Sequence, residues 1–248
     1  MEVIPERAAV HGFEIEIPDG AVHLDADGLD AFEFNQRLRA LTESGDMVVV
    51  HNPRARHNLG IALTQPAHVI FLGSVGYYCG GFNDGAFIEI YGNAGWGLGE
   101  AMASGKILVH GSTAWAAGAS MRGGTILIEG DGGPRTAVAM KGGDVFVGGS
   151  VGFMSGFMAH RGKLVVLDGA GEALGASLYE GRIFVSGDVE SLGADAVEME
   201  PTEDELAEIR RDLEANGLPR SAGPFRKIVA EGRLWYFDVR EADLWRKV

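Results

Sequence analysis

A repeat of 19 residues runs without a slip from Ala67 to Gly187 and restricts the folds open to this chain. Each of its seven units has two apolar residues separated by one position, and the first six continue with Gly-x-x-Gly-x-x-x-Gly apart from three substitutions. The first apolar column contains Val69, Ile88, Ile107, Ile126, Val145, Leu164 and Ile183. The second contains Phe71, Ile90, Val109, Ile128, Val147, Val166 and Val185. Because a unit this short cannot bury its own apolar face, successive units must stack on one another.

The glycines of the repeat fall in three columns, with Asp168, Ala114 and Ala137 as the exceptions. Glycine reaches positive φ without a Cβ clash, so we expect the chain to turn at these columns. Apolar residues at i and i+2 point to one face of a strand, so each unit supplies one short strand. The sequence therefore predicts an all-β protein built as a parallel β-helix, a single-stranded solenoid with 19-residue coils.

The repeat and its flanks predict three parts of the chain. These are an N-terminal extended segment and helix over 1–46, the β-helix over 47–193, and a C-terminal helix with an aromatic tail over 194–248. Met47 begins a strand 22 residues before Val69, which we interpret as a first, irregular coil that caps the stack.

Both flanks contain the signals of short helices. Apolar spacing predicts a helix over 27–43 that Gly45 ends. The pair Thr202 and Glu205 predicts a capping box at the start of a helix over 203–214. The aromatic tail at 234–237 predicts a clasp that packs on the rest of the chain.

The composition excludes several classes of function. The chain has 35 acidic and 21 basic residues, which argues against nucleic acid as a partner. A single cysteine, Cys79, excludes an internal disulfide and a cysteine-type zinc site. The N-terminus lacks the apolar run of a signal peptide, and no run of about 18 apolar residues occurs. We therefore expect a cytoplasmic protein with no membrane partner.

The motifs of common catalytic and cofactor sites are missing from the sequence. It contains no phosphate-binding loop, no His-Glu-x-x-His and no EF-hand loop. The seven histidines are scattered, and no base is placed beside Cys79, which we interpret as a buried structural thiol. We expect no catalytic residue, no cofactor site and no metal site in this chain.

Two features are candidates for an interface. The cationic loop, which we define as residues 52–58, is either a solvated turn or an anchor for an acidic surface or an anion. Its candidate interface residues are Arg54, Arg56, His57 and Asn58. The outward ribbon, which lies between the two apolar columns, contains only one polar residue, Glu89. Its candidate interface residues are Leu108, Leu127, Phe146, Val165 and Phe184.

We expect the chain's own terminal elements to cover one section of the outward ribbon. A second protein, either a copy of this chain or a catalytic subunit, is expected to cover another section.

Two further columns recur in the repeat. Met102, Met121 and Met140 predict a buried ladder. Whether Tyr77, Trp96, Trp115, Pro134 and Phe153 lie inside or outside the solenoid stays open.

The glycine pattern resembles the GXGXG domain, the right-handed parallel β-helix at the C-terminus of the glutamate synthase large subunit, which also occurs as a separate subunit. Asn52-Pro53 with the following Ala55 to Asn58 is similar to the segment that leads into that β-helix. Ser191 to Glu198 is similar to the segment that follows it. These flanks favour the β-helix subunit of glutamate-synthase-like N-methylglutamate synthase.

The resemblance implies a non-catalytic scaffold subunit that can also self-associate. The expected partners are a glutamine-amidotransferase-type subunit and an FMN-binding synthase-type subunit, with FMN and an iron–sulfur cluster held by a partner. The alternative is the β-helix subunit of a formyltransferase/hydrolase or formylmethanofuran dehydrogenase complex. A free-standing β-helix enzyme acting on carbohydrate would need a groove of charged residues along one face, whereas the outward column here is apolar.

Overall fold

A computed structural model describes residues 6–10, 12–43, 45, 47–218 and 223–232. The aromatic tail predicted at 234–237 lies outside the described residues. The helices are α1 (Ala31–Thr42) and α2 (Glu203–Ala215). The strands are β1 (Glu6–Val10), β2 (Phe13–Ile17), β3 (Val22–Asp25), β4 (Met47–His51), β5 (His68–Phe71), β6 (Asp84–Ile90), β7 (Ser104–Val109), β8 (Thr125–Ile128), β9 (Lys141–Val147), β10 (Arg161–Val166), β11 (Arg182–Val185), β12 (Ala196–Met199) and β13 (Arg226–Ala230).

The strands from β3 to β11 pair in parallel and in chain order, one strand for each coil. Ile107 pairs with Ile126, and Ile126 pairs with Val145, so the first apolar column is a vertical stack. The predicted parallel β-helix with flanking helices is therefore confirmed. The ladder begins at β3, one strand before the coil of Met47, because β3 pairs in parallel with β4.

The two apolar columns and the methionine ladder fill the interior of the solenoid. Met102, Met121 and Met140 are at most 1% exposed, which confirms the buried ladder. Burial of side chains of this size contributes roughly 1.5–3 kcal/mol each. At one end, Phe34 and Leu38 of α1 cover the first coils. At the other end, β13 lies antiparallel between β11 and β12.

The flanking elements begin where their capping residues stand. Asp30 caps α1, which makes this helix shorter at its start than the predicted range 27–43. Thr202 and Glu205 form the predicted capping box of α2. Within the described residues, no helix has both the length and the apolar character that crossing a membrane requires.

The three glycine columns have two different physical causes. In the third column, glycines such as Gly80 and Gly99 have φ near +65° and Ala137 follows with φ +61, so the predicted turn is correct there. In the other two columns most glycines lack positive φ. A Cβ at Gly133 would instead lie 2.3 Å from the Ala114 carbonyl oxygen of the preceding coil. Positive φ is therefore the wrong explanation for most glycines of these two columns, where glycine instead allows close approach of the coils.

This close approach makes Gly133→Ala costly. We expect it to lower the free energy of unfolding by about 1–3 kcal/mol, as overpacking does elsewhere, because the contact is with backbone that cannot rotate away. Gly223→Ala is the control, since its Cβ would meet Ser186 at an ordinary 3.4 Å. Urea denaturation measures both variants. Equal stability of Gly133→Ala and the wild-type chain would show that the coils can separate at little cost.

Candidate functional site

The outside of the solenoid carries a column of mostly aromatic side chains, and this settles the direction that the sequence left open. We name it the aromatic ladder; its rungs are His57, Tyr77, Trp96, Trp115, Pro134 and Phe153. Successive ring centroids are 4.1 Å apart from His57 to Tyr77, 5.2 Å from Tyr77 to Trp96 and 5.8 Å from Trp96 to Trp115. These separations follow the coil rise of roughly 4.8 Å.

All rungs except the half-buried Pro134 are exposed, although most are large and apolar. Trp96 is 48% exposed, Trp115 43% and Phe153 42%. Tyr78 and Phe82 lie beside the ladder and are exposed as well; together with Asn58 and Glu100 they line a shallow depression. Contiguous exposed aromatic side chains are typical of interaction surfaces, where tryptophan and tyrosine carry much of the binding energy. We therefore regard the aromatic ladder as the candidate functional site.

The backbone fixes the position of each rung. The amide of Tyr78 donates to the carbonyl of Trp96, and the amide of Gly97 donates to the carbonyl of Trp115. At the foot of the ladder, the Tyr77 amide donates to Nδ1 of His57 over 2.9 Å. Nδ1 of His57 accepts in this contact, because a backbone amide can only donate.

A second column, of small polar residues, runs beside the aromatic ladder. Each side chain accepts a hydrogen bond from a backbone amide one coil further on. The distances are 3.0 Å from the Asn93 amide to Ser74 and 2.9 Å from the Ser112 amide to Asn93. The column contains Ser74, Asn93, Ser112, Asp131 and Ser150. Sequence analysis missed it, although a small polar residue at every nineteenth position was the signal.

An acidic groove continues the surface beyond Phe153. Glu172 occupies the next position of the same column, and it lines the groove together with Asp188, Glu190 and Phe153. The groove encloses about 530 Å³, and its three carboxylates are exposed. In the part of the chain that the structure describes, no cationic side chain pairs with these carboxylates.

The cationic loop is fastened to this chain's own N-terminal segment. Arg54 pairs with Asp27 at 2.7 Å. The guanidinium of Arg56 donates to the backbone carbonyls of Ala26 and Leu29. Contact of Arg54 or Arg56 with a partner stays a prediction.

The other two residues predicted in this loop lie elsewhere on its surface. His57 is the first rung of the aromatic ladder. Asn58 is exposed, and its carbonyl accepts a hydrogen bond from Asn35 of α1 at 2.6 Å. The loop therefore connects α1 to the foot of the ladder.

Helix α2 covers the section of the outward ribbon that belongs to the later coils of the solenoid. Leu127, Phe146, Val165 and Phe184 are at most 1% exposed. They pack in one cluster with Ile209 and Leu213 of α2, and Leu108 lies partly buried at its edge. Ile70, which occupies the outward ribbon one coil before Glu89, is covered by Ile15 and Ile17 of β2. The contact of any part of this ribbon with a second protein stays a prediction.

A buried lysine fastens α2 to the sheet. Lys163 is 4% exposed, and its Nζ lies 2.6 Å from both Glu208 and Asp212 and 3.5 Å from Asp144. Burial lowers the pKa of Lys163, but the hydrogen bonds to Asp212 and Glu208 outweigh it and raise the pKa above the usual value. The lysine therefore stays charged and holds carboxylates from α2 and β9.

Glu89, the polar residue of the outward ribbon, is the centre of a second cluster. His110, Tyr91 and His68 donate to its carboxylate over 2.9, 3.0 and 3.1 Å. The other ring nitrogen of His110 lies 3.0 Å from Glu129. Burial raises the pKa of Glu89, but the hydrogen bonds outweigh burial and lower the pKa to about 2. Burial lowers the pKa of His110, while its hydrogen bonds to the two glutamates raise it above 6.5 overall.

These shifts predict how the cluster stabilises the fold across pH. The contribution of Glu89 is present above its ordinary pKa of 4.5 and is lost as pH falls toward about 2. The contribution of His110 is present below 6.5 and is lost as pH rises through its raised pKa. We therefore expect the wild-type chain to exceed Glu89→Gln most in stability between about pH 4.5 and 6.5. Thermal unfolding of both proteins across this range measures the gain, and a constant difference would contradict the assignment.

Cys79 is fully buried, and burial raises the pKa of its thiol well above the usual range. A protonated thiol is a poor nucleophile and a poor metal ligand. Within the described chain, no group of three or more His, Cys, Asp or Glu side chains is arranged to hold a metal ion.

The fold and the exposed surface define a parallel β-helix protein with an aromatic ladder on its outside. No family model matches the chain. The chain is 48% identical over 217 residues to Protein GlxC of Rhizobium meliloti (strain 1021), an alignment that covers 86% of this chain and 95% of that protein. The chain therefore belongs to the GlxC family.

Proposed function

We propose that the chain is the non-catalytic scaffold subunit of a glutamate-synthase-like flavin amidotransferase complex, as in N-methylglutamate synthase. The observation that carries this proposal is the aromatic ladder, which is exposed on a solenoid whose coils are joined by backbone hydrogen bonds. The likeness of the glycine repeat to the GXGXG domain and the relation to GlxC support it.

A regular solenoid suits this role because it presents side chains at fixed spacing. The rungs of the ladder are held in place before any partner arrives, so little conformational freedom is lost on binding. The expected partners are a glutamine-amidotransferase-type subunit and an FMN-binding synthase-type subunit. FMN and an iron–sulfur cluster belong to the partner in this proposal.

Three side chains of types that often do chemistry have structural roles in the described part of this chain. The Cys79 thiol is buried, and His110 is held between Glu89 and Glu129. Lys163 fastens α2. These roles agree with the proposal that this chain is a scaffold and that its partner subunits carry out the reaction.

Co-expression with the two partner subunits from the same source tests the proposal. We expect a stoichiometric complex with the absorbance of FMN, and an isolated chain that is colourless. Flavin retained in equal proportion by the isolated chain would contradict the scaffold role. Assembly with formyl-transfer subunits, and not with the amidotransferase-type pair, would favour the alternative role in a formyltransferase/hydrolase or formylmethanofuran dehydrogenase complex.

A further inference from the structure

We propose that the aromatic ladder and the acidic groove form one docking surface for a basic face of a catalytic subunit that presents arginine side chains. This inference rests on the proposed function, since the occupant is one of the subunits named there. It adds the location of the contact and the chemistry that recognises the partner.

The two parts of the surface are continuous. Phe153 is the last rung of the ladder and also lines the groove, and Glu172 occupies the same column one coil further on. From His57 to Glu172 the column makes six coil steps, a length of about 29 Å. A typical protein interface buries about 800 Å² on each partner, roughly a square with sides of about 28 Å, so this strip is about as long as such an interface.

The negative charge of this surface indicates that its partner has a basic face. The whole chain carries a formal net charge of −14. The groove adds Glu172, Asp188 and Glu190, which are exposed and pair with no cation among the described residues. Glu100 lies at the other end, beside Tyr78 and Phe82. A partner with a basic face would neutralise these groups, and like charges on an acidic face would repel them.

Arginine suits this combination better than lysine. Its guanidinium is planar and weakly hydrated, so it packs against aromatic rings, and it pairs with carboxylates through two hydrogen bonds. Tryptophan, tyrosine and arginine are also the residues that dominate binding energy at protein interfaces. Arg135, which follows Pro134 of the ladder, is exposed, and its positive charge would repel a partner with a basic face.

The test measures binding of this chain to each purified catalytic subunit, the FMN-binding one and the amidotransferase-type one. The first variant combines Trp96→Ala with Trp115→Ala, and we expect at least a roughly tenfold loss of affinity. The second combines Glu172→Gln, Asp188→Asn and Glu190→Gln. We expect it to weaken binding at about 0.1 M salt and to bind like the wild-type chain at about 1 M salt, where charges are screened.

Two controls make the result specific. Phe32→Ala removes an aromatic side chain that is 68% exposed on α1, and we expect it to leave affinity unchanged. Arg135→Gln should strengthen binding, which is the opposite direction from the carboxylate variant. Circular dichroism confirms that each variant is folded before binding is measured.

The outcomes separate the two proposals. A wild-type chain that binds neither subunit contradicts the proposed function and this inference with it. Wild-type binding that survives loss of Trp96 and Trp115 overturns the docking surface alone. Binding that depends on the tryptophans but is strengthened or unaffected by removal of the three carboxylates overturns the basic partner.

Discussion

Phe146→Asp will prevent the chain from folding, whereas Phe153→Asp in the same coil will leave it folded. Phe146 is 1% exposed under α2, and Phe153 is 42% exposed on the aromatic ladder. Removing a buried phenylalanine costs about 3–5 kcal/mol, and a buried carboxylate adds its desolvation. Because a domain is stable by only about 5–15 kcal/mol, the sum is sufficient to unfold it.

Circular dichroism and gel filtration measure both aspartate variants. Phe146→Ala gives the smaller change that can be quantified, and we expect it to lower the free energy of unfolding by about 3–5 kcal/mol in urea. A folded Phe146→Asp chain of wild-type stability would show that α2 does not cover the outward ribbon. If such a chain failed to assemble with its partners, the ribbon would be an interface.

Lys163→Ala is the second change with a large expected effect. It leaves Glu208, Asp212 and Asp144 close together without their cation. Removing one partner of a buried ion pair typically costs about 3–5 kcal/mol, and we expect the lower end because these carboxylates are about one-third exposed. Helix α2 should loosen before the coils do, since the lysine joins it to the sheet.

Hydrogen exchange measured along the chain locates this loosening, and urea denaturation gives its magnitude. Arg161→Ala is the matched control, because Arg161 lies on the same strand and pairs with Glu180 at 2.8 Å while mostly exposed. Exposed pairs contribute about 0–1 kcal/mol. Equal losses for the two variants would mean that Lys163 is no more important than a surface charge.

The 19-residue register predicted the stack because its cause is local and repeated. Apolar residues two apart must share a face, and Ile107, Ile126 and Val145 could only be buried by lying above one another. The stack's first strand, β3, was missed because α1 separates it from β4 and breaks the period.

The direction of the aromatic ladder could not be predicted from alternation, which holds only within strands. Its rungs lie in turns, where neighbours such as Tyr78 and Ala116 adopt positive φ and redirect the chain. The capping box allowed helix α2 to be predicted from the sequence. The position of α2 over the outward ribbon could not be predicted, because it depends on contacts between residues distant in sequence, such as Lys163 with Glu208 and Asp212.

A photo-cross-link from the aromatic ladder within the assembled complex tests the central claim most directly. A benzophenone amino acid replaces Trp96 in one chain and Phe32 in another, each expressed with both partner subunits in the cell. We predict a cross-link from position 96 to a basic segment of a catalytic subunit and none from position 32. An intact complex that gives no cross-link from position 96, or gives it equally from position 32, would contradict the account.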